Sequence, residues 1–176
     1  EADALWKPFE KNPLRSAVLR IVDHKGQAAQ STQLESAFAA MEDTRLYSSD
    51  RITFVVTVDK SIGMGSYNGP ITFFVEVDDG KLRWLDAVDN KTGERERIAL
   101  MKSLKSSWKI FGAAKGITKE ILSITCRPSF PSPVKIEFVV FYTRLNFNGH
   151  QWVKFERQEK GFWEDEGDFP VRSLFP

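Results

Sequence analysis

Reactive side chains are scarce in this sequence. Its 176 residues hold one cysteine, Cys126, and two histidines, His24 and His150. A single thiol rules out an internal disulfide, and with two distant imidazoles it rules out zinc centres built on Cys/His clusters. Cys126 shares its parity with Leu122 and Ile124 in a strand-like stretch, so it reads as core, with Arg127 directed to the opposite face. His24 sits in the polar DHKG segment and His150 follows Asn148-Gly149, both places that water reaches. The nucleophile elbow Gly-x-Ser-x-Gly does not occur. The glycine-rich segment 61–70, SIGMGSYNGP, fits neither G-x-G-x-x-G nor a phosphate loop, and no helical pattern follows it. It reads as a mobile connection between strands, or as a binding flap with Met64 and Tyr67 as its contact side chains. No apolar run approaches the roughly 20 residues that cross a bilayer.

Aromatic residues, by contrast, are plentiful, with 14 Phe and 5 Trp, while hydrophobic (41%) and charged (28%) contents are ordinary for a globular chain. The net charge of +1 hides blocks of opposite sign. Residues 1–80 carry 8 basic and 12 acidic side chains, and residues 81–120 carry 10 and 5. Such blocks complement each other within a fold or steer a partner. The first residue is Glu1 instead of Met, which suggests a processed, exported protein, periplasmic or secreted, with the cytoplasm as the alternative.

Periodicity supplies the elements. Asn12-Pro13 opens a helix carrying Leu14, Ala17, Val18 and Ile21 and closing at Gly26, although AVLRIVD also suits a strand. Thr32 and Glu35 form a capping box ahead of Leu34, Phe38 and Met41. From Arg51 the period becomes two. Strands are expected near Ile52–Val58, Ile71–Val77 and, after the Asp79-Gly80 turn, Lys81–Val88. Thr92, Glu94 and Glu96 start a third helix with the stripe Leu100, Met101, Leu104, Trp108 and Phe111, ended by Gly112. Strands follow at Ile117–Arg127, along Val134–Gln158 around Asn148-Gly149, and briefly at Gly161–Trp163. Pro128, Pro131 and Pro133 fence the link between Cys126 and Val134, and the apolar tail FPVRSLFP packs on the body. The expected fold is one α+β domain over residues 1–176, a curved antiparallel sheet of about six strands against two or three helices. By element order alone this resembles cystatin-like and NTF2-like cone folds.

Candidate sites follow from that layout. A two-residue turn at Asn148-Gly149 sets Leu145 opposite Trp152 and Tyr142 opposite Phe155. Val139, Phe141, Leu145 and Trp152 then form a second apolar face on the hairpin with no evident cover, a candidate surface for a protein partner or a second copy. Asp86, beside Trp84 and Val88, is the best general base for a pocket, with Tyr142 as its aromatic partner. Lys102, Lys105 and Lys109 line one edge of the third helix and suit an anionic polymer or membrane surface. Nucleic acid is the less favoured of those targets, because no recognition motif accompanies the lysines. Glu164, Asp165, Glu166 and Asp168 miss the spacing of an EF-hand loop. The sequon Asn90-Lys91-Thr92 lies in a turn. The leading expectation is a non-enzymatic interaction or ligand-binding domain without cofactor or metal. The first rival is a small enzyme or carrier with its pocket inside the sheet.

Overall fold

The computed structural model describes the backbone of residues 2–5, 17–22, 28–34, 38–44, 52–59, 66–67, 69–78, 81–111 and 120–176. Side chains are described for 66–67, 69–76, 83–111 and 120–176. Through these residues the chain runs as strands: β1 (Ala2–Leu5), β2 (Ala17–Val22), β3 (Ala28–Leu34), β4 (Phe38–Thr44), β5 (Ile52–Asp59), β6 (Pro70–Asp78) and β7 (Lys81–Trp84). Then come β8 (Asp86–Asp89), β9 (Arg95–Arg97), β10 (Ala99–Met101), β11 (Ser106–Phe111), β12 (Glu120–Ser132), β13 (Lys135–Phe147) and β14 (Trp152–Lys160). A single 3-10 turn, Arg172–Leu174, is the sole helical feature among the described residues. No helix there is long and apolar enough to cross a membrane.

Sheet I has the order β1-β2-β3, sheet II the order β10-β6-β5-β4 with β7 also on β6, and sheet III the order β11-β12-β13-β14-β8-β9. All pairings are antiparallel except β14 with β8. Sheets II and III share one core, in which Phe74 and Leu100 meet Ile121, Leu145 and Trp152. The chain itself stitches the two together. β7 belongs to sheet II and β8 to sheet III, with buried Leu85 between them, and the return from β9 to β10 passes through buried Ile98. The Leu85 amide donates to the Phe74 carbonyl and the Ile98 amide to the Leu85 carbonyl, both at 2.9 Å. These are corners at which strands change sheet.

The α+β expectation, and with it the cystatin-like and NTF2-like layout, is overturned. Wherever residues of the expected helices are described, they form strands or the tight links between strands. In residues 17–22 the β-branched AVLRIV pairs with β1 and β3. Thr32 of the expected capping box lies within β3 and pairs with Leu19, Glu35 lies outside the described residues, and Phe38 opens β4 opposite Asp59. Ladder bonds to distant strands outweigh weak local helix preference. In the third case Gly93 takes φ 75°, which no helix tolerates one residue past its cap. Asp89 Oδ1 accepts from the Lys91 and Thr92 amides instead, at 2.9 and 3.0 Å, closing a hairpin between β8 and β9. The stripe Leu100 to Phe111 arises from short strands joined by tight links, which mimic a period of 3.6. Asn12-Pro13, His24 and Gly112 lie outside the described residues.

The strand expectations from Ile52 onward fare better. β6 and β7 pair antiparallel with Asp78 opposite Lys81, while the expected Asp79-Gly80 turn lies outside the described residues. β12 is longer than expected, running through Pro128 and Pro131 to Ser132. β11 pairs with it only from Glu120 to Thr125, so both prolines fall where that edge needs no donor. The Gly161–Trp163 strand does not form, although the Gly161 amide still donates to the Phe138 carbonyl at 3.0 Å.

Candidate functional site

The β13–β14 hairpin supplies the site. Its connection is four residues long, since Phe147 pairs with Trp152 and Leu145 with Lys154. Asn148 closes it, its Oδ1 accepting from the His150 and Gln151 amides at 3.0 Å each. The expected two-residue turn, with Leu145 opposite Trp152 and Tyr142 opposite Phe155, is therefore out of register by two. A slip of two leaves every side chain on its expected face, where a slip of one would invert them all.

The outer face of sheet III holds Leu122, Ile124, Cys126, Val140 and Tyr142. Residues 161–176 cover it, with Trp163, Phe169, Leu174 and Phe175 packed down on those side chains. Two ion pairs fasten this segment. Arg172 grips Glu120 through two bonds of 2.7 Å. The buried Lys105 ammonium bonds Glu164 and lies 3.5 Å above the Phe162 ring. The apolar tail thus packs as its composition implies.

The inner face divides. Leu145 and Trp152 are 3% and 4% exposed beneath sheet II. Val139 and Phe141, nearer the β12–β13 turn, stay half-buried. They line a groove of about 530 Å³ with Arg127, Pro128, Ser129, Gln158, Glu159 and Lys160. The four residues expected to form one open patch are half core and half groove. Sheet II covers the buried half, a face for which the sequence offered no evident cover.

Cross-strand pairing explains the groove's chemistry. Arg127, Val139 and Lys160 stand in one row across β12, β13 and β14, and Thr125, Phe141 and Gln158 form the next. Val139 and Phe141 make an apolar floor between two cations. Lys160 is 2.9 Å from Glu137. Glu137 also bonds Lys135, and these two ammonium groups hold its carboxyl at about 2, against the opposing effect of desolvation. Glu159 accepts from the Tyr142 hydroxyl at 3.0 Å and lies 3.4 Å from Arg157. Arg127 is exposed, its guanidinium carbon 5.4 Å from the Phe141 ring centroid. Among the described residues no carboxylate pairs with it.

The other sequence candidates do not gather here. Tyr142 is buried on the outer face, stacked edge-on against Phe175, with Arg157 4.8 Å over its ring. Burial, and then the bond to Glu159, raise its phenol above the usual value. Asp86 opens β8, which meets β14 at Trp152, whereas Tyr142 pairs with Arg157. Five residues of strand put them roughly 17 Å apart, so the proposed acid and its aromatic partner are not one site. Tyr67 is an exposed turn residue far along the chain from the groove, and Met64 lies outside the described residues. The basic edge dissolves with its helix. Lys102 is exposed in a link, Lys105 is buried against Glu164, and Lys109 lies 5.3 Å from the Phe169 ring. His150 is an exposed loop residue, and Cys126 is fully buried. Among the described residues no group of acids, histidines or cysteine could hold a metal ion.

Sequence reading missed Arg127, Pro128, Ser129, Gln158 and Lys160. The prolines were the available signal: in a strand they mark an edge without a ladder partner, and that edge bounds the groove. The chain matches no known protein family, no curated protein and no solved structure.

Proposed function

We propose that this protein is a binding domain whose inner-face groove takes a ligand with an apolar body and an anionic, carboxylate-type group. One observation carries the reading: the Arg127 guanidinium, without a carboxylate partner among the described residues, stands over the apolar floor of Val139 and Phe141. The acids nearby are already committed, Glu137 to two lysines and Glu159 to Tyr142 and Arg157. The groove thus offers a cation and an apolar surface, and its volume lies in the range of small-ligand sites.

A titration followed by amide and methyl NMR tests this, with dodecanoate as probe and dodecanol as its uncharged control. Dodecanoate should saturate with shifts centred on Val139 and Phe141. Arg127→Gln should weaken it about tenfold, the scale of one charge-assisted bond, and leave dodecanol unchanged. Shifts centred elsewhere, or equal loss for both probes, would refute the reading.

A second reading has its own observation. Along the outer edge of β14, β8 pairs with Trp152–Lys154 only, and beyond that point the Lys91 ammonium donates to the Glu156 carbonyl at 3.0 Å. A partner's extended segment could add as a strand beyond Glu156 and set an acidic side chain against Lys160, at the β14 end of the Arg127–Val139–Lys160 row. Peptide-induced protection of amides 157–160 from exchange would favour this reading over the small ligand.

A further inference from the structure

Beyond Phe138, where the Gly161 amide bonds the carbonyl, the β12–β13 hairpin continues without a strand neighbour among the described residues. β11 stops pairing at Thr125 and β14 at Val139, so the ribbon projects from sheet III. Its end is apolar. Phe130 is 66% exposed, Val134 96%, Ile136 62%, and Phe162, set against Phe138 at 5.1 Å, is 57% exposed. Pro131 and Pro133 stiffen the turn around Val134. Cations collar this end: Lys135 lies beside Val134, and the Arg127–Val139–Lys160 row follows a few residues up the strands. Among the described residues the acids beside these three positive groups are already engaged, Glu137 with Lys135 and Lys160, and Glu159 with Tyr142 and Arg157.

We infer that the hairpin tip inserts Phe130, Val134 and Ile136 into an anionic lipid surface. The apolar side chains stand at the end of a two-stranded ribbon with cations just behind them, and a lipid interface, apolar below and anionic above, meets both features at once. Interfacial segments bury their apolar side chains about 5–10 Å into the boundary between headgroups and acyl chains. At roughly 3.3 Å per strand residue, burial to Ile136 brings Lys135, Arg127 and Lys160 to the phosphates. Stem carbons in lipid and charge in water is the arrangement long basic side chains favour. The observations differ from those behind the groove ligand: Ile136 shares its parity with Phe138 and the outer face, and Phe141 lies on the inner one.

The test is vesicle flotation of the full chain, with phosphatidylcholine alone and with phosphatidylglycerol mixed in. Flotation is expected with the anionic vesicles, weakening at high salt. Val134→Asp combined with Ile136→Asp should reduce it at least tenfold, and Lys135→Glu should weaken it on anionic vesicles. Both residues are exposed, and unchanged circular dichroism confirms that the variant folds. As a second readout, NBD placed on Val134→Cys should shift to the blue on anionic vesicles, Cys126 being too buried to label. Phe141→Ala should float as wild type, so loss of the groove reading leaves this one standing. The inference is overturned by absent flotation, by equal flotation of the double variant, or by an NBD signal that does not move. A concentration-dependent dimer that Val134→Asp dissociates, without vesicle binding, would give the tip to a second copy.

Discussion

Two residues show how far single atoms constrain this chain. Gly69 approaches the Lys102 backbone so closely that an added Cβ would lie 1.9 Å from the Lys102 carbonyl oxygen. The neighbouring ladder bond, Lys102 amide to Pro70 carbonyl at 3.0 Å, holds that approach in place. Gly69→Ala therefore forces backbone apart and should cost about 1–3 kcal/mol, as overpacking does, read as a lower urea midpoint. Glu137 makes a prediction in pH. Its carboxyl is held at about 2, from an ordinary 4.5, by Lys135 and Lys160. A depressed acid contributes stability above its unfolded value, so that contribution is complete above pH 4.5 and lost as pH falls toward 2. The Glu137 carboxyl carbon should titrate in NMR near 2. A midpoint at 4.5 would mean that neither ammonium engages it.

Within β13 the same alternating pattern serves two purposes at its two ends. Leu145 is walled in by Phe74, Ile121 and Trp152, so Leu145→Ala should cost about 2–5 kcal/mol. Phe141 faces the groove and is half-buried, so Phe141→Ala should cost about 1 kcal/mol, less than a fully buried ring. Chemical denaturation of both variants checks the contrast, and equal losses would place Phe141 in the core. The alternation was legible in the sequence, and so were both faces, because face assignment survives a register error of two. Which half of the inner face lies open was not legible. That depends on where sheet II ends, a matter of pairing between β6, β10 and residues far along the chain. The helices assigned at Thr32 and Thr92 failed for the same reason. Capping residues and short apolar spacings are local signals, and strands β3, β4, β10 and β11 are fixed by partners elsewhere. Gly93 was the local warning, a positive-φ residue directly after the supposed cap.

At the scale of the molecule, the described residues form strands closed over by a C-terminal segment. Far-UV circular dichroism should show a spectrum dominated by sheet, and one dominated by α-helix would contradict the architecture of the described residues. Sheets II and III are written by one continuous stretch of chain, which passes from one to the other at Leu85, at Ile98 and again between β10 and β11. Two layers joined in this way have no seam along which to part. Their opening must be a single event, so their kinetics of exposure to water should be shared. The amides of Leu85 and Ile98, bonded to Phe74 and to Leu85 across the corner, should exchange with solvent only when the whole sandwich unfolds. Native-state hydrogen exchange would then find them among the slowest in the protein, with denaturant sensitivity equal to that of global unfolding.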